Sequence, residues 1–204
     1  MKKTIVILLF AAIALTSLQI ACSKSKDQDP DNTLDIGDYY QGGYIVYLFQ
    51  PQDPGYSSTT PHGLIAAAVD QSTTSAWITG GSTQTTKNNN TLSAIGTGYA
   101  NTNYMKGQQG FTGGAAKLCD DYSVISDGIS YSDWYLPSIR ELEELWRLLK
   151  RESQIAPTLE SYYWSSTENS DGFVKAMKWD NIPSATIINT TKSRFYRIRA
   201  FRSF

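Results

Sequence analysis

The chain has 204 residues, 41% of them hydrophobic and 12% aromatic, enough to bury one sizeable core but hardly two. Its formal charge of −1 leaves no broad cationic footprint, which argues against nucleic acid as a partner. Two cysteines and one histidine are too few for a disulfide framework or a His/Cys metal centre, so no cofactor or metal is expected.

In chain order, Lys2 and Lys3 precede the apolar run "TIVILLFAAIALTSL", the anatomy of a targeting segment too short to span a bilayer with ease. "QIAC" follows, and a small Ala21 before Cys22 resembles a bacterial lipoprotein signal, although Leu18 stands one residue early and Gln19 fills its usual place. The resemblance implies a signal peptide over residues 1–21 and lipidation at Cys22. Removing it takes two basic residues and no acidic ones, so the mature charge is 16 − 19 = −3. The polar stretch "SKSKDQDPDNTLD" has almost no apolar residues and contains Pro30, so residues 22–37 read as a disordered tether. It resembles the charged leader of Bacteroidetes-type exported lipoproteins, which implies an outer-membrane lipoprotein displayed at the cell surface.

The domain is expected over residues 38–204. "YYQGGYIVYLFQ" and "HGLIAAAVDQ" read as strands around a loop with three prolines. From Trp77 to Gly114 the chain is rich in Gly, Thr, Asn and Ser, and a loop of that length in a compact domain is usually either functional or poorly ordered. "GGAAKLCDDY" predicts a short helix with Ala115, Ala116 and Cys119 facing inward. In "DWYLPSIRELEELWRLL", Ser138 and Glu141 form a capping box. Ile139, Leu142, Leu145, Trp146 and Leu149 then make one apolar stripe, with Trp134 packing near the helix start. The rest alternates as a meander, with segments at Phe173–Trp179 and around Ile187 and Ile188, closed by "SRFYRIRAFRSF". Strands, two helices and further antiparallel strands give a single α+β domain with long loops.

The blocks "GGYIVY", "HGLIAAAVDQ", "GTGYANT", "AAKLCDDY", "YSDWYLPSIRELEEL", "YYWSSTE" and "RIRAFRSF", in this order and spacing over most of residues 40–204, resemble the Lcl C-terminal-like domain family. That family is known from the C-terminal region of a collagen-like bacterial adhesin. The resemblance implies a C-type-lectin-like fold and a domain that binds, as the adhesin's does sulfated polysaccharides. No Gly-X-Y stalk is present here, so the adhesin's trimer is not implied.

Candidate sites follow from charge and aromatic placement. Lys192, Arg194, Arg197, Arg199 and Arg202 are the one basic cluster, and Arg197 and Arg199 share a strand face. The readings left open are a stripe that binds sulfate or carboxylate groups of a glycan, or arginines that are paired with internal acids such as Asp133, Glu141 or Glu168 or lie on a solvated strand face. Tyr162, Tyr163 and Trp164, beside Glu168, Asn169 and Asp171, offer either a sugar-stacking site or core aromatics. The loop from Gly80 to Gly110 is the expected ligand face. No Glu-Pro-Asn or Trp-Asn-Asp motif supports calcium-dependent sugar binding. His62, between Pro61 and Gly63, reads as structural, and no hydrolase or phosphoryl-transfer motif is found. The expectation is a non-catalytic, lipid-anchored envelope protein, adhesin-like or polysaccharide-binding, or else an accessory subunit of a surface protein complex.

Overall fold

The two apolar runs flanking the Pro-rich loop form β2 (Gly43–Leu48) and β3 (Gly63–Ala67), paired antiparallel, with β1 (Tyr39–Tyr40) on the outer side of β2. The computed structural model describes residues 33–87, 89–151, 161–180 and 184–204. The expected signal peptide, Cys22 and residues 22–32 of the expected tether lie outside them. One compact unit runs from Leu34 to Phe204. It begins four residues before the expected boundary, because Leu34 packs on the core and the Gly37 N–H bonds to Ile45 O at 2.8 Å. Among the described residues no helix is long and apolar enough to cross a membrane.

The remaining strands are β4 (Ser72–Ala76), β5 (Val124–Ser126), β6 (Ile129–Tyr131), β7 (Ser161–Ser170), β8 (Phe173–Trp179), β9 (Ala185–Thr191), β10 (Phe195–Ile198) and β11 (Phe201–Ser203). They build a four-stranded sheet, β1-β2-β3-β11, a five-stranded sheet, β4-β10-β7-β8-β9, and the hairpin β5-β6. The expected meander β7-β8-β9 is antiparallel throughout. The closing segment divides between sheets: β10 lies parallel to β7 and antiparallel to β4, while β11 adds to β3. The larger sheet is therefore mixed rather than purely antiparallel. The hairpin turns at Asp127 and Gly128, with φ of 51° and 77°, the left-handed pair that an Asp-Gly turn supplies.

Among the described residues there are three α-helices where two were expected: α1 (Gly98–Lys106), α2 (Ala115–Asp120) and α3 (Ile139–Arg151). Helix α2 buries Ala115, Ala116 and Cys119 as predicted. Helix α3 buries Ile139, Leu142, Leu145, Leu148 and Leu149, each worth about 1.5–3 kcal/mol of apolar burial. Trp146 is only half-buried, and Leu148 takes the place expected for it.

Because successive strand residues face opposite ways, the sheets separate two cores. Ile45, Ile65, Trp77, Trp134, Trp164 and Ile198 pack on one side with α1 and α2 residues. Val46, Leu64, Tyr163, Met177 and Phe201 pack on the other with α3.

The start of α3 locks this arrangement. The Ser138 N–H donates to Glu141 Oε2 at 2.7 Å, and the Glu141 N–H donates back to Ser138 Oγ at 3.3 Å, the reciprocal pair of a capping box. Glu141 Oε1 also accepts from the Gly96 and Gly98 N–H groups, at 2.9 and 3.3 Å. One fully buried carboxylate thus joins the first turn of α3 to the first turn of α1. Glycine is required at 98, since a Cβ there would lie 2.2 Å from Glu141 Oε2 and 2.6 Å from Tyr135 Cε2.

Candidate functional site

The C-terminal cations are mostly engaged inside the protein. Asp70 Oδ2 accepts from Arg197 Nη1 at 3.0 Å and from the Tyr163 hydroxyl at 3.0 Å, while Asp70 Oδ1 accepts from Arg199 Nε at 2.7 Å. Arg199 Nη1 donates further to the Ala67 and Ala68 carbonyls at 2.9 and 3.0 Å. Burial and the adjacent Asp70 push the Tyr163 hydroxyl well above its usual range, so it remains a donor. Arg202 makes a two-pronged bond to Asp133, at 2.7 and 2.9 Å, bonds Gln41, and lies 4.7 Å over the Tyr131 ring. Arg197 and Arg199 do share a face, as expected, but that face is occupied by Asp70. Arg194 is exposed in the turn before β10. Of the acids expected as partners only Asp133 takes an arginine; Asp70 supplies the other contact.

This geometry carries a prediction. Asp70→Ala strands a guanidinium that is only 9% exposed, a loss of about 3 kcal/mol measurable by urea denaturation, whereas Arg194→Ala should change stability by less than about 0.5 kcal/mol.

The β7 candidates do not converge on one ligand. Tyr163 and Trp164 are fully buried, and Tyr162 stacks on Tyr196 with centroids 4.8 Å apart. Six residues of strand, about 20 Å, separate Tyr162 from Glu168. Glu168 is itself buried and bonds Lys192 Nζ at 2.5 Å, while Asn169 is exposed near the end of β7. His62 holds the chain end in place, with Nδ1 2.9 Å from the Phe204 carbonyl.

The described residues do form a groove, and it lies within the stretch expected as the ligand face. It has a volume of about 510 Å³, with Thr86, Lys87 and Asn90 on one wall and Asn103, Tyr104 and the turn from Gly107 to Gln109 on the other. Helix α1 supplies the second wall. Its inward residues, Gly98, Asn101, Thr102 and Met105, fall at i, i+3, i+4 and i+7. The polar ones are satisfied: Thr102 Oγ1 accepts from the Leu136 N–H at 3.0 Å, and Asn101 bonds Leu92 N–H and C=O at 2.8 and 2.7 Å. With those faces buried, Tyr99 and Tyr104 are turned outward, 58% and 46% exposed.

The first wall is held by a buried cation. Lys192 Nζ donates to the carbonyls of Thr83 and Thr86, at 3.3 and 2.5 Å, as well as to Glu168, and it lies 4.8 Å from the Trp77 ring centroid. Thr91 Oγ1 accepts the Glu168 N–H at 3.0 Å, closing the other end of the same loop. Lys192 and Glu168, both sequence candidates for the site, therefore brace the loop from beneath.

Chemically the groove is a surface of amides with one accessible phenol ring. Lys87 is the single charged residue among its described lining residues, and no carboxylate is among them. Within the wall, Gln108 Nε2 is buried without a hydrogen-bond partner. No protein-family model matches the chain, and no curated protein matches it in sequence. The groove's lining residues were not among the sequence candidates. The available signal was the run of Asn and Gln around Tyr104, which reads equally well as a loop until α1 orders it.

Proposed function

We propose that this is a lipid-anchored protein of the bacterial envelope, displayed from the outer membrane, which binds polysaccharide through the groove between Thr86, Lys87 and Asn90 on one side and Asn103, Tyr104 and the Gly107 turn on the other. The observation that carries the reading is the groove itself: side-chain amides for sugar hydroxyls beside an exposed Tyr104 ring for the apolar face of a pyranose. Binding rather than hydrolysis is favoured because a glycosidase needs two carboxylates across its cleft, and the described lining residues include none. We further propose membership of the Lcl C-terminal-like family with its C-type-lectin-like fold. In support, "GGYIVY" and "RIRAFRSF" meet through one sheet, and the helix of "YSDWYLPSIRELEEL" packs on the same core.

A second reading, an accessory subunit of a surface complex, is favoured by the hairpin β5-β6, where Ile125 and Ile129 are 74% and 56% exposed.

A glycan array spanning neutral, carboxylated and sulfated polysaccharides tests the first reading. Tyr104→Ala and Asn103→Ala should lower retention at least tenfold with an unchanged melting temperature, since both side chains are exposed. Retention of no glycan would transfer the lead to the protein-partner reading, to be pursued by pull-down with Ile125→Lys as the control.

A further inference from the structure

We propose that the groove selects glycans through the carboxylate of a uronic-acid unit, over both neutral and polysulfated chains. The inference rests on the polysaccharide reading and adds the ligand's charge class to it.

The described lining residues carry one cation, Lys87, and no acid. None of the described ion pairs involves Lys87. A neutral sugar laid over that ammonium would strip part of its hydration without supplying a counter-charge. A carboxylate supplies the charge, and its two oxygens offer about four acceptor sites.

Those sites match what the walls present. Asn90, Asn103, Gln108 and Gln109 place side-chain amides among the lining residues, and the Gln108 amide nitrogen, buried in the wall, has no partner within the protein. An ammonium with neighbouring amide donors is a set for one anionic acceptor group, since charge-assisted bonds are about twice as strong as neutral ones.

Polysulfated chains need something else, a row of cations at the spacing of their charges. The residues able to form such a row are engaged elsewhere: Arg197 and Arg199 on Asp70, Arg202 on Asp133, and Lys192 on Glu168.

The test is calorimetric titration of the purified protein with oligogalacturonate, its fully methyl-esterified form, which keeps the rings and removes the charges, and dextran sulfate. Oligogalacturonate should bind at least tenfold more tightly than the ester. Lys87→Met should remove that difference, leaving the ester's affinity within twofold, and Gln108→Leu should weaken oligogalacturonate. Equal affinity for acid and ester, unchanged in Lys87→Met, would overturn the charge class while leaving the polysaccharide reading in place. Tightest binding to dextran sulfate, collapsing with salt and lost in Arg194→Ala, would overturn the groove assignment. Binding of none of the three, together with an empty array, would overturn both.

Discussion

Replacing Lys192 by Met is expected to lower the unfolding free energy by about 4 kcal/mol, the usual consequence of removing one partner from a buried ion pair. Both side chains of the Lys192–Glu168 pair are fully buried, so Glu168 would keep a charge in a site closed to water. The carbonyls of Thr83 and Thr86 would also lose their ammonium donor. Adding Glu168→Leu should restore most of the lost stability, because a buried pair replaced by apolar residues of similar volume is often neutral. If the groove binds glycan as proposed, binding should not return in that double variant, since the loop bearing Thr86, Lys87 and Asn90 would still lack its tie to the turn after β9. Urea denaturation and titration on the two variants separate these effects. A double variant that binds as the parent does would show that the groove wall holds itself up.

Glu141→Ala should cost a similar amount, about 4 kcal/mol, because it leaves the N–H groups of Gly96, Gly98 and Ser138 without their acceptor at about 1–3 kcal/mol each. The pH dependence of this group has a definite sign. Burial pushes the Glu141 carboxyl up to about 7 against the pull of those hydrogen bonds, from an ordinary value of 4.5. A folded-state value above the unfolded one means the native state holds the proton longer. The group's contribution to stability is then fully present below about pH 4.5 and is lost as the pH rises through about 7. Denaturation midpoints at pH 5 and pH 8 should therefore show the parent losing up to about 3 kcal/mol more than Glu141→Gln, which cannot titrate. Parallel pH profiles for the two proteins would refute this assignment.

The contrast between α3 and α1 shows what was legible in the sequence. Helix α3 announces itself through leucines at helical spacing and a capping box, two local signals with one answer. Helix α1 has the same inward spacing, but filled by Gly98, Asn101, Thr102 and Met105, so a hydrophobic pattern passes over it. Its side chains are buried by hydrogen bonds to Leu92, Ser166 and Leu136, groups that only the folded chain brings near. The arginines were hidden for the same reason. Asp70 is 127 positions from Arg197 in sequence, and nothing local marks it as the partner. The hairpin β5-β6 carried a turn signal, yet its strands of three residues were too short to show alternation. The stretch from Gly80 to Gly110 contributes a groove, whereas Arg197, Arg199, Tyr163 and Trp164 are engaged inside the protein.

The placement of β11 bears on when this fold can exist at all. Phe201–Ser203 pairs with Leu64–Ala66, and backbone bonds join Gly63 to Phe204 and Tyr135 to Phe201. Strand β10 sits between β4 and β7, so the larger sheet lacks its middle until residues 195–198 arrive. Contacts of such sequence separation cost loop-closure entropy before they return any stabilisation, which makes folding slow and collective. A chain emerging from its N-terminal end must then keep the outer edge of β3 bare, and remain threadable, until its closing strands are available. If the chain is exported as proposed above, the architecture itself would delay folding until passage is nearly complete.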